Sequence, residues 1–138
     1  MDDIIKIGFT GNRYGLNHEQ KLQIISILDK YNNFIISHGD CVGSDTDFHN
    51  LCLNYKNKHP NKNIIIHIYP PNDPKFRAFN HGDFIMDEKS YLQRNFDIVK
   101  NSSILIACPI DKNNQQLRSG TWSTIRKAKK HKLFVYIF

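Results

Sequence analysis

Residues 34–45 read FIISHGDCVGSD. A short run of strand composition, Phe34 to Ser37, passes into a turn rich in glycine and aspartate. From Ser44 to about Lys58 the pattern is helical, with Phe48, Leu51, Cys52 and Tyr55 recurring at three- and four-residue steps. Strand, polar loop and helix in that order make half of a βαβ unit, and the same succession lies on both sides of it. Upstream, residues 4–9 (IIKIGF) are an apolar run closed by TGNRYG. Asn17, with Gln20 three residues on, then forms a capping box for a helix over 18–31, where Leu22, Ile25 and Leu28 or Asp29 fall at helical spacing. Downstream, residues 63–69 (NIIIHIY) are a third strand, stopped by PPNDP because proline cannot donate to the ladder.

After that stop comes a long polar connection holding Phe76, Phe79 and Phe84; connections of this length often serve as a lid or wall. Asp87 opens a helix over 88–101, and Ser103–Ala107 is a fourth strand. A second long loop runs from Pro109 to Arg118, and Ser119-Gly120-Thr121 starts the last helix, to about 131. Leu133–Ile137 is a fifth strand. The expectation is an α/β fold, a Rossmann-like three-layer αβα domain over 1–138, with a mainly parallel five-stranded sheet of order 3-2-1-4-5.

The 138 residues, 40% of them hydrophobic, suffice for one core and leave no room for two domains. No apolar run approaches the roughly 20 residues of a membrane helix, and the charged start Met1-Asp2-Asp3 is unlike a signal peptide. Cys41, Cys52 and Cys108 have no metal or disulfide spacing, so a reducing, cytoplasmic setting is expected. The net charge of +6 invites a nucleic-acid reading. However, Arg126, Lys127, Lys129, Lys130 and Lys132 crowd one helix end, where they complement its dipole.

Right-handed crossovers leave every strand-to-helix loop at one edge of a parallel sheet, and the crevice opens where strands one and four diverge. The loops there are TGNR, HGDCVGSD, PPNDP and the one ending RSGT. Gly11 and Gly120 let backbone approach an anion, Ser119 and Thr121 add hydroxyls beside the amides of a helix start, and Arg13 or Arg118 can pair with a phosphate. Each string alone reads equally well as a turn or an N-cap. His38, Asp40, Asp45 and Asp47 lie close together, but they lack the spacing of metal ligands, and neither a metal nor another cofactor is expected. Asp45 and Asp47 also suit a first helical turn, whereas Asp40 precedes it.

The ordered set of TGxR, HGDxxGSD, an RN pair before the fourth strand and a final SGT resembles the SLOG superfamily. That group joins the DNA-processing protein A proteins to the "Lonely guy" phosphoribohydrolases, and the likeness is greatest to its small single-domain YspA/YpsA-related members. The resemblance implies a Rossmann-like fold that binds a nucleotide or a nucleotide derivative. Thr10, Gly11 and Arg13 would line the entrance, and Gly39, Asp40, Gly43, Ser44 and Asp45 the ribose or base side. Arg94 stands where the hydrolases keep a functional arginine and is followed by Asn95, while Gly120 and Thr121 would hold the phosphate.

The chain departs from the hydrolase pattern PGGxGTxxE. Thr124 replaces its glutamate, and Gln115-Gln116-Leu117-Arg118 replaces the leading glycines. Hydrolysis of a nucleoside 5′-monophosphate at its N-glycosidic bond would need another carboxylate, with Asp40 and Asp45 the candidates. Arg94 could instead pair with Asp97 or Asp87, and Trp122 reads as core. A nucleotide-binding module ranks first, a phosphoribohydrolase second, and a binder of single-stranded nucleic acid third. Relatives often pair through helices, so a homodimer is also implied.

Overall fold

The computed structural model describes residues 3–138; Met1 and Asp2, from the charged start, lie outside the described residues. The elements run β1 (Ile5–Gly11), α1 (His18–Leu28), β2 (Asn33–His38), α2 (Ser44–Lys58), β3 (Asn63–Ile68), β4 (Phe84–Ile85), α3 (Tyr91–Lys100), β5 (Ile104–Cys108), α4 (Gly120–Lys130) and β6 (Phe134–Ile137). The strands form one sheet of order β4-β3-β2-β1-β5-β6, and every pairing is parallel. The five strands expected from the sequence therefore stand in the expected order. The sixth, β4, is a two-residue edge strand within the long connection, with His67 opposite Phe84 and Ile68 opposite Ile85.

Alternation along each strand divides the core into two layers. Ile7, Phe9, Phe34, Ile36, Ile64 and Ile66 meet α1 and α2, with Phe9 stacked on Phe48 at 4.2 Å between ring centres. On the opposite face Leu105 and Ala107 meet Val99 of α3 and Trp122, Ile125 and Ala128 of α4. Trp122 is thus chiefly a core residue. β5 is buried from end to end, as a parallel strand covered on both faces must be.

Local chemistry sets the helix ends. Asn17 accepts from the Gln20 amide while the Gln20 side chain accepts from the Asn17 amide, which completes the capping box. The buried stripe of α1 is Ile24, Ile27 and Leu28, not Leu22 and Ile25. Apolar residues occur nearly all round this helix, so two stripes fit the same spacing. α3 starts after Ser90, whose hydroxyl accepts from Gln93 N, rather than after Asp87. Residues 87–90 are held in extended form because Lys89 O accepts from Asn72 N beside the bridge to Pro71. Among the described residues no helix is long and apolar enough to cross a membrane.

Candidate functional site

All four strand-to-helix connections reach one cleft of about 550 Å³ at the carboxyl edge of the sheet, above the divergence of β1 and β5. Thr10, Gly11 and Arg13 come from β1 and its loop, and Gly39 and Asp45 from the β2–α2 corner. Arg94 and Asn95 come from α3, and Arg118, Ser119, Gly120 and Thr121 from the start of α4. Asp40, Gly43 and Ser44 lie behind this surface rather than on it.

The α4 end is the donor-rich corner of the cleft. Ser119 caps the helix through a bond from Trp122 N at 3.3 Å, and its carbonyl accepts from Ser123 N. The amides of Gly120 and Thr121 find no acceptor among the described residues, as expected of a first helical turn. The Tyr91 hydroxyl sits where a β-carbon of residue 120 would project, so only glycine leaves the ring this close. Arg13 and Arg118 are exposed at the rim, and neither forms an ion pair among the described residues. The Lys127, Lys129 and Lys130 cluster lies at the far end of the same helix, about 15 Å away at 1.5 Å per residue.

The floor is built from α3 and the β2–α2 corner. Arg94 is buried at 3% exposure and pairs with neither Asp97 nor Asp87. Its Nη1 donates to the carbonyls of Gly39 and Tyr69, its Nη2 lies 3.5 Å from Cys41 Sγ, and its guanidinium stacks 4.8 Å from the Tyr91 ring centre. Arg94 Nε and Asn95 Nδ2 are buried without a hydrogen-bond acceptor. Asp45 accepts from the amides of Cys41 and Gly39, yet its pKa is raised to about 6. Burial dominates, and the attraction of Arg94 offsets only part of it. The Cys41 thiol is pushed up by burial and by Asp45, so it is not an activated nucleophile.

Asp40 has a different task. It adopts φ 55°, which turns its carboxylate away from the cleft and under the long connection. There Oδ1 accepts from Asn80 N and Asn80 Nδ2, both at 3.0 Å, and Oδ2 lies 3.5 Å from Arg77 Nε. Its backbone carbonyl accepts from Ala78 N, and Val42 N donates to Phe76 O. The segment 76–80 is thereby fastened along 40–42, and Phe76 stands in the cleft wall while Phe79 does not line it.

Gly43 and Ser44 form a close-packed junction between two loops. Gly43, at φ 94°, passes directly beneath the Arg13 carbonyl, where a side chain would collide with backbone. Ser44 N donates to Asn12 O and its Cβ packs under Gly11. Asp47 caps the neighbouring turn by accepting from Leu16 N at 2.8 Å. His38 lies below the site, accepts from Asp40 N and bonds His49 at 2.9 Å, so burial and His49 hold its pKa down at about 3.

No family model and no curated protein matches the chain.

Two contributors escaped the sequence reading. Asn12 fixes the β1 loop to β5, because its amide and side chain both donate to Cys108 O while its Oδ1 accepts from Tyr14 N and Gly15 N. An asparagine after the TG pair is the usual mark of such an Asx turn. Asp111 folds the last long loop by accepting from Asn113 N and Asn114 Nδ2, which lowers its pKa, and it also borders the cleft. Among the described residues no group of His, Cys, Asp and Glu is placed to hold a metal ion.

Proposed function

We propose that the cleft binds a nucleotide or a nucleotide-derived phosphorylated ligand, as the short motifs shared with the SLOG superfamily would imply. One observation carries the reading: the unpaired amides of Gly120 and Thr121 share a cleft with the unpaired arginines 13 and 118. Amides at a helix start and a guanidinium are complementary to a phosphate dianion. The volume of about 550 Å³ suits a mononucleotide, and Tyr14 and Phe76 offer aromatic faces for a base away from α4. The Asp40 fastening keeps the Phe76 wall in place for this purpose.

Calorimetric titration with the common nucleoside monophosphates and the matching nucleosides tests the reading. A phosphate requirement is expected, with nucleosides binding at least about tenfold more weakly and Arg118→Ala and Arg13→Ala each weakening the monophosphate. Equal affinity for nucleoside and nucleotide, or no binding of either, would reject it.

A second reading, N-glycosidic hydrolysis, draws on Asp45. A buried carboxyl beside Arg94 with a pKa near 6 can exchange a proton at neutral pH, which a departing base requires. Free base should then appear on incubation with a monophosphate and vanish in Asp45→Asn. Binding without turnover would leave the first reading alone.

A further inference from the structure

Tyr91 and Asn95 stand one turn apart on α3, and both border the cleft. α3 packs against α4, and the Tyr91 hydroxyl lies beside Gly120, in the space that a side chain at residue 120 would fill. One face of the ring is taken by the Arg94 guanidinium, 4.8 Å from its centre. The hydroxyl therefore stands next to the free amides of Gly120 and Thr121.

Asn95 is an independent sign that an acceptor belongs at this place. It is 5% exposed, and its Nδ2 has no acceptor among the described residues. A buried amide donor left unpaired is costly, and native interiors rarely keep one. The same side chain acts on the Tyr91 hydroxyl without coming within hydrogen-bond distance of it. An acceptor seated between Asn95 and Gly120 would take bonds from Asn95 Nδ2, the Tyr91 hydroxyl and the α4 amides together. Among the charged groups that act on Tyr91, Arg94 favours an anion and Asp45 opposes it. The grip has to come from directed donors rather than from net charge.

We propose that Tyr91 and Asn95 are ligands of the phosphate that the start of α4 takes, so that two helices hold the anion from different sides. This rests on the phosphate reading of the cleft, with Tyr91 and Asn95 added as the residues that select the anion. The three terminal oxygens of a phosphate monoester diverge, and donors from α3 and α4 reach different ones. A carboxylate has two oxygens in one plane and satisfies one set alone.

Calorimetric titration at pH 7.5 with inorganic phosphate, acetate, a nucleoside monophosphate and the matching nucleoside, on the unaltered chain, Tyr91→Phe and Asn95→Asp, tests it. Tyr91→Phe keeps the ring on Arg94 and removes the hydroxyl alone. It should weaken phosphate and monophosphate at least about tenfold and leave thermal unfolding without ligand nearly unchanged. Asn95→Asp keeps the shape, sets a carboxylate against the anion and should weaken both at least about a hundredfold. Acetate should bind the unaltered chain at least about tenfold more weakly than phosphate. Where inorganic phosphate is too weak to register, the monophosphate carries the comparison.

Affinities that Tyr91→Phe leaves unchanged overturn the proposal, whether or not Asn95→Asp folds, and the nucleotide reading then stands on the α4 amides alone. A loss shared equally by the nucleoside would show a structural role and overturn it too. Phosphate binding that the variants weaken, without any binding of the monophosphate, supports the proposal and rejects a nucleotide as the ligand. No binding of either by the unaltered chain overturns both.

Discussion

Replacing Asp45 by asparagine should change the way stability depends on pH, because Asp45 and His38 are displaced in opposite directions. The Asp45 carboxyl has a pKa of about 6 in the fold against 3.8 as its ordinary value. Between those pH values the folded state holds the proton more tightly than the unfolded state does. Its contribution is therefore full below 3.8 and is lost as pH rises through 6. At about 1.4 kcal/mol for each difference of one in pKa, the loss by pH 7 is about 3 kcal/mol.

His38 runs the other way. Its pKa is about 3 in the fold against 6.5 ordinarily, so its neutral ring stabilises fully above 6.5 and progressively less as pH falls. At pH 4 that loss is about 3 kcal/mol by the same conversion. Between pH 4 and 6.5 the two groups nearly cancel in the unaltered protein. Asp45→Asn removes one side of the balance while asparagine can still accept from the Cys41 amide.

The assay is urea unfolding followed by Trp122 fluorescence at intervals from pH 4 to 7.5. Comparing variant with unaltered protein at each pH removes the carboxylates and histidines common to both. The unfolding free energy of Asp45→Asn relative to the unaltered chain should rise by about 3 kcal/mol from pH 4 to pH 7. A difference that stays flat over that range would show that Asp45 is not desolvated, and the proton-exchange role would go with it.

Three further substitutions probe the cleft. Asp40→Ala strands the Asn80 donors and Arg77, and should cost about 2–4 kcal/mol; hydrogen exchange should accelerate first at residues 76–81, whereas uniform acceleration would deny the fastening role. Gly120→Ala sets a methyl against the Tyr91 hydroxyl and ring edge and should cost about 1–3 kcal/mol, most of it recovered in the Tyr91→Ala background, as denaturation of the single and double variants would reveal. Gly39→Ala would displace the buried Arg94 guanidinium from its carbonyl partners and should cost at least about 3 kcal/mol in chemical denaturation.

The parts of this molecule that sequence reveals are those decided by neighbours in the chain. Strand order followed from alternation, and the caps at Asn17 and Ser119 followed from their own spacing. α1 shows where this fails: its first residue was legible, but its buried stripe was set by which apolar residues the sheet could accept. β4 was illegible because two residues carry no periodicity; it exists because Asp83 bonds Ile66 through both backbone and side chain.

Asp40 makes the same point for the site. As sequence it was the aspartate without a structural role, since it precedes the helix that Asp45 and Asp47 begin. Its role became visible only when residues 77–80 came alongside, 40 positions away. Asp45, whose place in a first helical turn offered an ordinary explanation, is the carboxyl that borders the cleft. The two carboxylates part at the backbone: φ 55° accompanies an Asp40 side chain bonded to a loop, whereas Asp45, in the first turn of α2, borders the cleft. A substitution that frees residues 77–80 while leaving Asp40 in place, such as Asn80→Ala, should loosen the Phe76 wall much as Asp40→Ala does. It should also leave the Asp45 proton equilibrium where it was.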